Sequence, residues 1–472
     1  MRSCSFPIKG LNLYSRTCKG GACVSQSIPT GARAGLTVAG AGLAGCEAAL
    51  AAANAGVPVR LVEMKPDKYT PAHHSPAFAE LVCSNSLKAS RLASAAGLLK
   101  EEMARLGSAC VAAAHQCAVP AGGALAVDRD RFSALVTEKV RAHPLITVEH
   151  GELTELPETG VAVIATGPLT SEPLARAIAC RCGGALSFYD AAAPIVTGES
   201  VDMSYAFRAS RYGREDGPES AGDYINCPLN KEEYEAFHAA LVSAETALLH
   251  EFDKPKVYEG CMPIEVLAGR GADAIRFGPM KPVGLRDPRT GHRPWAVLQL
   301  RAENAGGTLW NLVGFQTNLK FGEQKRVFGL IPALHRAEFA RYGVMHRNTF
   351  LDSPRLLDAG CRLRTEPRFF FAGQMTGVEG YMESAASGIV AGLSAVRMLQ
   401  GREPFVFPRD TMIGALTAYV SDPAVRDFQP MGANFGILPP LEEPVRDKRL
   451  RAEALARRAL DSLDRYRLEQ DL

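Results

Sequence analysis

The chain contains 472 residues, with 53 Lys and Arg against 51 Asp and Glu, which gives a formal net charge of +2. So balanced a charge does not indicate a nucleic-acid partner, and any basic surface must be a local patch. The hydrophobic fraction of 47% and the charged fraction of 22% exclude a mostly disordered chain, and the length predicts roughly three domains.

Local composition excludes two further classes of protein. One long charge-free stretch, 106–127, contains His, Gln, Pro and Gly residues that lipid would not tolerate, so we expect no membrane span. The 12 cysteines include no CxxC pair, which fits neither a disulfide scaffold nor a zinc ribbon. We therefore predict reduced thiols and no metal site.

The first 34 residues form a tail that we exclude from the fold. No Asp or Glu precedes Glu47, and the tail mixes Arg and Lys with Ser, a composition typical of an organellar transit peptide. A disordered extension, or a start codon placed too early, explains the tail equally well. We therefore expect a cytoplasmic protein, or a protein of a plastid or mitochondrion if the tail is a transit peptide.

A dinucleotide-binding fingerprint opens the folded part of the chain. A short strand leads into a glycine-rich turn made of Gly40, Ala41, Gly42, Leu43, Ala44 and Gly45. Gly40 permits the tight turn, Gly42 lets the backbone approach a pyrophosphate, and Gly45 lets the next helix pack on the strand. The start of that helix offers N–H groups to the phosphates, and Glu63, which ends the second strand, is expected to accept the ribose hydroxyls. A merely structural turn is the alternative.

Two cysteines lie where we expect a helix to begin. Cys83 precedes the Ser and Asn residues at 84–86, which are typical N-cap residues, and Cys261 precedes Pro263, which is well suited to the first helical position. A helix N-terminus and neighbouring lysines make the reactive thiolate more available. A buried, inert thiol is the alternative for each of them.

Two distant segments favour FAD over NAD as the dinucleotide. Residues 161–167 form a hydrophobic strand that ends in Ala-Thr-Gly, and residues 369–373 form another strand that closes on Gly373. A helix of small residues is predicted over 383–399, and such a helix points its N-terminus at the flavin in this type of flavoprotein. The second strand and the helix come long after the glycine-rich turn, so the FAD-binding domain must be interrupted. The sequence therefore predicts an α/β fold in which a Rossmann-like FAD-binding domain is interrupted by an inserted α+β domain.

The predicted domain boundaries follow from these segments. They give a tail at 1–34, the first part of the FAD-binding domain at 35–184, an inserted substrate or tRNA domain at 185–335, the second part of the FAD-binding domain at 336–400, and a C-terminal segment at 401–472. The apolar residues between 452 and 466 fall on one face of a helix, which packs either on its own protein or on a partner.

Eight longer segments resemble the folate- and FAD-dependent tRNA (uracil-5-)-methyltransferase family. They are 70–74, 83–87, 119–129, 189–196, 259–265, 277–285, 342–350 and 372–381. The resemblance extends from about residue 36 to about residue 438, while the tail and the charged C-terminal stretch depart from the family pattern.

The resemblance implies a methyl transfer onto C5 of the T-loop uridine, position 54, of tRNA. Methylenetetrahydrofolate is then the one-carbon donor, and FAD and NAD(P)H supply the reduction. The family pattern places the two catalytic cysteines at Cys261, which we assign as the nucleophile at C6, and at Cys83, its partner. It also implies flavin contacts at Gly373, Gly380 and Tyr381 and a folate contact at His346. A core-packing Tyr and a structural His are the alternatives for the last two.

Two other functions stay open at this point. One is the same chemistry on a ribosomal-RNA uridine, and the other is a flavin-binding tRNA-interaction protein or NAD(P)H oxidase without methyl transfer. The sequence does not predict the oligomeric state. Candidate phosphate contacts, each of which is alternatively an ordinary solvated cation, are Lys88, Arg91, Lys281, Arg286, Lys320, Lys325, Arg326 and Arg347.

Overall fold

The computed structural model describes residues 35–182, 186–191, 193–213, 222–247, 262–426 and 428–472. The predicted tail at 1–34 and the predicted nucleophile Cys261 lie outside these ranges. From Ala34 to Leu472 the chain forms one compact unit. Within the described ranges, none of the helices has both the length and the apolar character that crossing a membrane requires.

Strands and helices are mixed along the described parts of the chain. The strands are β1 (Leu36–Ala39), β2 (Val59–Glu63), β3 (Ser86–Ala89), β4 (Ala118–Val119), β5 (Ala124–Val127), β6 (Ile146–His150), β7 (Val161–Ile164), β8 (Leu186–Ala191), β9 (Ile195–Thr197), β10 (Phe207–Arg208), β11 (Tyr224–Leu229), β12 (Ala296–Ala302), β13 (Leu309–Leu312), β14 (Phe339–Arg341), β15 (Met345–Phe350) and β16 (Phe369–Phe371). The helices are α1 (Leu43–Asn54), α2 (Ala95–Arg105), α3 (Ala109–Gln116), α4 (Arg129–Arg141), α5 (Glu172–Cys182), α6 (Lys231–Val242), α7 (Ile264–Ala268), α8 (Ala274–Phe277), α9 (Phe321–Phe328), α10 (Ser353–Leu356), α11 (Tyr381–Leu399), α12 (Met412–Ser421) and α13 (Lys448–Gln470).

A five-stranded parallel sheet carries the glycine-rich turn. Its strand order is β16-β7-β1-β2-β6. Strands β7 and β16 are buried along their whole length, as expected for a parallel sheet with both faces covered. Strand β7 pairs with β1 on one side and with β16 on the other. Two segments that are far apart in the sequence therefore build this sheet together. The Rossmann-like α/β fold predicted from the sequence is confirmed.

The chain between these strands forms a second sheet, which is antiparallel. Its order is β10-β11-β12-β13-β9-β14, and α6 and α9 pack on it around a separate hydrophobic core that includes Phe237, Leu298 and Phe328. This sheet is the interruption that the sequence predicted. Strand β14 lies beyond the predicted boundary at residue 335, and the domain boundaries stay predictions.

Helices α1 and α11 pack against each other with their backbones almost in contact. A Cβ added at Gly388 would lie 2.1 Å from the carbonyl oxygen of Ala44, and one added at Gly392 would lie 2.5 Å from that of Ala48. Only glycine allows so close an approach. Because α1 begins at the glycine-rich turn and α11 begins at Tyr381, this contact sets the relative position of two predicted parts of the FAD site.

Gly388→Ala is expected to lower the free energy of unfolding by about 3 kcal/mol, because the added methyl group must displace the backbone of α1. The matched control is Gly322→Ala in α9, where nothing lies within 4 Å of an added Cβ. The control variant should be neutral or slightly stabilised. Urea unfolding followed by circular dichroism compares the two, and equal stabilities would contradict the close packing.

A buried carboxylate of α2 caps the N-terminus of α12. Glu102 is fully buried, and its two oxygens accept hydrogen bonds from the N–H groups of Met412 (2.7 Å) and Ile413 (2.9 Å). Burial raises the pKa of this carboxyl from 4.5 to about 8. Between these two values the folded protein keeps a proton on Glu102 that the unfolded chain has already lost.

Glu102→Gln is expected to weaken the pH dependence of stability between about pH 5 and pH 8. In this range the native state binds more protons than the unfolded state at this position, so the stability of the unchanged protein falls as pH rises. The amide keeps an acceptor for α12 but has no proton to lose. Urea unfolding at several pH values measures the slope, and an unchanged slope in the variant would argue against a raised pKa.

The C-terminal helix α13 is amphipathic, as predicted. Its apolar face is buried in the larger core, and the buried residues are Leu455, Ala456, Ala459, Leu460 and Leu463. Beyond them, the Tyr466 hydroxyl accepts a hydrogen bond from the N–H of Val406 at 3.1 Å. Of the two interpretations of this helix, packing on its own protein is therefore the one that the structure supports.

Candidate active site

The glycine-rich turn connects β1 to α1 in the conformation that the fingerprint requires. Gly40 has a φ of 91°, and a Cβ there would lie 2.7 Å from the carbonyl oxygen of Ala165. A Cβ at Gly45 would lie 1.8 Å from the carbonyl oxygen of Gly40, so this position also excludes a side chain. Gly42 differs, because nothing lies within 4 Å of an added Cβ. The backbone at Gly42 is therefore open to approach by a ligand.

Glu63 joins the end of β2 to this turn. Its Oε2 accepts a hydrogen bond from the N–H of Ala41 at 2.6 Å, and its Oε1 accepts one from the N–H of Lys65 at 3.0 Å. The side chain is buried, and it lines the same cleft as the turn. This position suits the predicted contact with ribose hydroxyls, which stays a prediction.

One cleft brings most of the predicted cofactor residues together. Those that line it are Gly40, Ala41, Gly42, Leu43, Ala44, Glu63, Gly373 and Tyr381. Gly45 lies under the turn, and Gly380 precedes α11 with a φ of 124°. The backbone of His346 lies in β15, opposite Asp190 of β8, and its side chain lies outside the described part of the chain. No group of three potential metal ligands occurs among the residues that the structure describes.

Among the polar residues that line the cleft, Lys65, His73 and Glu80 received no role from the sequence. Lys65 is buried, and its Nζ donates a hydrogen bond to the carbonyl oxygen of Ala77 (2.5 Å) and lies 3.4 Å from Glu80 Oε2. Burial lowers the pKa of His73, which favours a neutral imidazole. For His73 the signal in the sequence was the segment 70–74, which carried the resemblance but received no role.

The start of α11 holds the segment that carries Cys83. The Tyr381 hydroxyl oxygen accepts hydrogen bonds from the N–H groups of Cys83 (2.8 Å) and Ser84 (3.1 Å). Burial raises the pKa of the Tyr381 phenol, with the nearby Cys83 adding to the effect. The ring also packs against the larger core, and the predicted flavin contact of this Tyr stays a prediction. Cys83 is thereby fixed beside the cleft.

The comparison with known proteins assigns the chain to a family. A family model described as glucose inhibited division protein A matches residues 35–403. A relative from Enterococcus faecalis, named methylenetetrahydrofolate–tRNA-(uracil-5-)-methyltransferase TrmFO, is 56% identical over 427 residues, which cover 90% of this chain and 97% of that protein. A relative of the same name from Symbiobacterium thermophilum is 59% identical over 432 residues, which cover 91% and 96%. The chain belongs to the methylenetetrahydrofolate–tRNA-(uracil-5-)-methyltransferase family.

Solved structures show the same fold at low sequence identity. GidA from Aquifex aeolicus, in its form I crystal, superposes with a TM-score of 0.66 at 18% identity and covers 91% of this chain and 76% of its own. The form II crystal gives a TM-score of 0.63 at 17% identity. These structural similarities establish the fold of this methyltransferase.

The prediction that a helix begins just after Cys83 is wrong. Ser86 starts β3, which pairs antiparallel with β5. The Asn85 side chain donates hydrogen bonds to the carbonyl oxygens of Val127 (2.9 Å) and Ala302 (2.8 Å) instead of capping a helix. A residue type that is typical of an N-cap serves here to join distant segments. The helix predicted next to Cys261 is present as α7, which begins one residue after Pro263.

Several other cysteines of this methyltransferase family member are buried and unreactive. Cys46, Cys110, Cys227 and Cys361 are at most 2% exposed. Burial raises the pKa of Cys227 and of Cys361 to about 12, so neither forms a thiolate readily. Cys83 differs in being only half-buried and in directly following Val82, which lines the cleft.

The candidate phosphate contacts differ in how firmly they are already paired. Three of them form ion pairs with acidic residues, namely Lys88 with Glu383 (2.6 Å), Lys320 with Glu245 (2.5 Å) and Arg326 with Glu323 (2.6 Å). Arg91, Lys281 and Lys325 are exposed and have no acidic partner within the described ranges. Arg286 Nη1 lies 3.4 Å from the carbonyl oxygen of Gly291, and the Arg347 side chain lies outside the described part. The unpaired cations are the better candidates for contacting an RNA backbone.

Proposed function

We propose that the protein methylates C5 of a uridine in tRNA, at position 54 of the T-loop, with methylenetetrahydrofolate as the one-carbon donor. FAD and NAD(P)H serve the reduction. The observation that carries this proposal is the 56–59% identity, over nearly the full length, to relatives named for the same activity. The same relatives favour tRNA over ribosomal RNA as the substrate.

The residues at the cleft fit FAD. The glycine-rich turn leaves space where a Cβ would otherwise lie, and the first N–H groups of α1 are directed at the same space, as a pyrophosphate requires. Across the cleft, α11 begins beside Gly373, and the positive end of a helix suits the charge of a reduced flavin. Reduced FAD supplies the hydride that completes the methyl group.

The protein's own part in the reaction is to activate the uracil and to hold the reactants. Uracil C5 is a poor nucleophile until a thiolate adds at C6, which turns C5 into an enolate carbon able to attack the methylene group. We assign this addition to Cys261. Removal of the C5 proton by a base would then expel tetrahydrofolate and leave an exocyclic methylene on the ring. Addition of a hydride to that methylene would expel the Cys261 thiolate and restore the ring. Cys83, fixed by the Tyr381 hydroxyl at the edge of the cleft, is the partner cysteine.

The test is an incubation of the purified protein with methylenetetrahydrofolate, NADPH or NADH, and unmodified tRNA. Mass spectrometry of the digested RNA should show ribothymidine at position 54, and omission of the folate should abolish it. Ribosomal RNA offered in place of tRNA tests the second substrate. Oxidation of NAD(P)H without any ribothymidine would instead support a flavin-binding protein that lacks methyl transfer.

A further inference from the structure

Arg301 is a buried arginine that connects the second sheet to the segment carrying Cys83. It belongs to β12 and is 6% exposed. Its Nε donates a hydrogen bond to Asn85 Oδ1 at 2.8 Å, and its Nη2 donates one to Ser84 Oγ at 2.7 Å. Because Asn85 is itself held by two backbone carbonyls, the guanidinium group is fixed next to residues 83–85.

The charge of Arg301 contacts no carboxylate among the residues that the structure describes. Burial lowers the pKa of Arg301, and the charge of the Glu303 carboxylate is the largest effect that raises it. Both carboxylate oxygens of Glu303, however, accept hydrogen bonds from Arg129. A buried charge without a bonded counter-ion is costly, so a nearby anion would stabilise it.

The segment that carries Cys83 is surrounded mainly by positive charge within the described ranges. Arg301 from β12 donates hydrogen bonds to Ser84 and Asn85, and Arg129 from α4 donates one from Nη1 to the carbonyl oxygen of Leu81 at 2.7 Å. Arg341 from β14 adds a third positive charge. The opposing groups are the carboxylate of Glu303 and the phenols of Tyr381 from α11 and Tyr224 from β11. Glu80, whose charge raises the pKa of Arg341, is paired with Lys65, whose Nζ lies 3.4 Å from Glu80 Oε2. An excess of positive charge around a sulfur favours the thiolate form.

We propose that Arg301 is a positioning residue that holds the Cys83 segment and, through its fixed charge, keeps the Cys83 sulfur ionised. The thiol proton is released to solvent, and the resulting negative charge compensates the guanidinium. The inference rests on the proposed function only for the use of Cys83 in methyl transfer. The ionisation itself belongs to the folded protein and is measurable without any RNA.

The test measures how the rate of Cys83 alkylation by iodoacetamide depends on pH in the FAD-loaded protein. Mass spectrometry of the peptide that contains Cys83 separates this thiol from the others. In Arg301→Gln, the pH of half-maximal alkylation should rise by about one unit. At a pH below both midpoints the alkylation should then be about tenfold slower, because the thiolate fraction there falls tenfold. Arg301→Lys, which keeps the charge, should restore most of the rate.

The matched control is Arg208→Gln, which removes an exposed guanidinium of the same sheet, one that lies 5.0 Å from the Trp310 ring. This variant should alkylate at Cys83 with the pH dependence of the unchanged protein. If Arg301→Gln does not accumulate as folded holoenzyme, Arg301→Met takes its place, since an apolar side chain of similar length often replaces a buried charge without loss of stability.

An alkylation curve that does not move in the neutral variant, with FAD still bound, would overturn the proposal. Ribothymidine formation is measured in parallel, and there the turnover number should fall while the KM for tRNA stays the same. A shifted alkylation curve in a protein that makes no ribothymidine would leave the role of Arg301 standing and refute the proposed function instead.

Discussion

Cys261→Ala is expected to abolish ribothymidine formation, with a loss of at least about a thousandfold in turnover. Without a thiolate at C6, uracil C5 does not gain the electron density needed to attack the one-carbon donor. The glycine-rich turn and the described lining of the cleft keep all their residues in this variant, so FAD binding should stay unchanged. Mass spectrometry of digested tRNA measures the product, and the flavin absorbance measures the bound cofactor.

Cys227→Ala is the matched control for this variant. Cys227 is fully buried in β11 and lies away from the cleft lining, so its loss should cost some stability but leave the chemical step intact. If Cys261→Ala retained full methylation while Cys83→Ala lost it, the assignment of the two cysteines would have to be reversed. Retention of activity in both variants would refute the thiolate mechanism.

Gly42→Val is expected to yield a folded protein that binds FAD at least about a hundredfold more weakly. Nothing lies within 4 Å of a Cβ added at Gly42, so the branch point of the new side chain meets no protein neighbour. That space is where the pyrophosphate is expected, and displacing it removes one or two charge-assisted hydrogen bonds, about 1.5–3 kcal/mol each. Titration of the apoprotein with FAD, followed by the change in flavin fluorescence, measures the dissociation constant.

Two further glycines provide the comparison for this result. Gly322→Val in α9 also places a side chain in open space, but it lies far from the cleft lining and should bind FAD normally. Gly45→Val should fail to fold, because its Cβ would overlap the carbonyl oxygen of Gly40. A Gly42→Val protein with unchanged FAD affinity would place the pyrophosphate elsewhere.

The parts of the fold that depend on local pattern were predictable from the sequence. The strand at 36–39, the glycine-rich turn and the acid at the end of β2 occur where the fingerprint places them. The continuous hydrophobic run at 161–164 predicted a buried strand because a parallel sheet is covered on both faces. The helix predicted over 383–399 begins two residues earlier, at Tyr381, since Gly380 with its positive φ forms the cap.

The parts that depend on contacts between distant residues were not predictable. Asn85 follows Cys83 as an N-cap residue would, yet its amide bonds to the carbonyls of Val127 and Ala302, which are remote in sequence. For the same reason Arg301 received no role, although it reaches the same segment. Burial and hydrogen bonding decide both cases, and neither leaves a periodic signal along the chain.

The order of strands in the parallel sheet has a consequence for biosynthesis. Strand β7 needs β16 as its neighbour, and all six strands of the second sheet are made between the two. While the ribosome is still translating that interval, the nascent nucleotide-binding half has an uncovered strand edge, which is a site for aggregation. Cofactor loading must therefore wait until the chain has been synthesised past Tyr381, and a prematurely terminated product should be captured by chaperones or degraded.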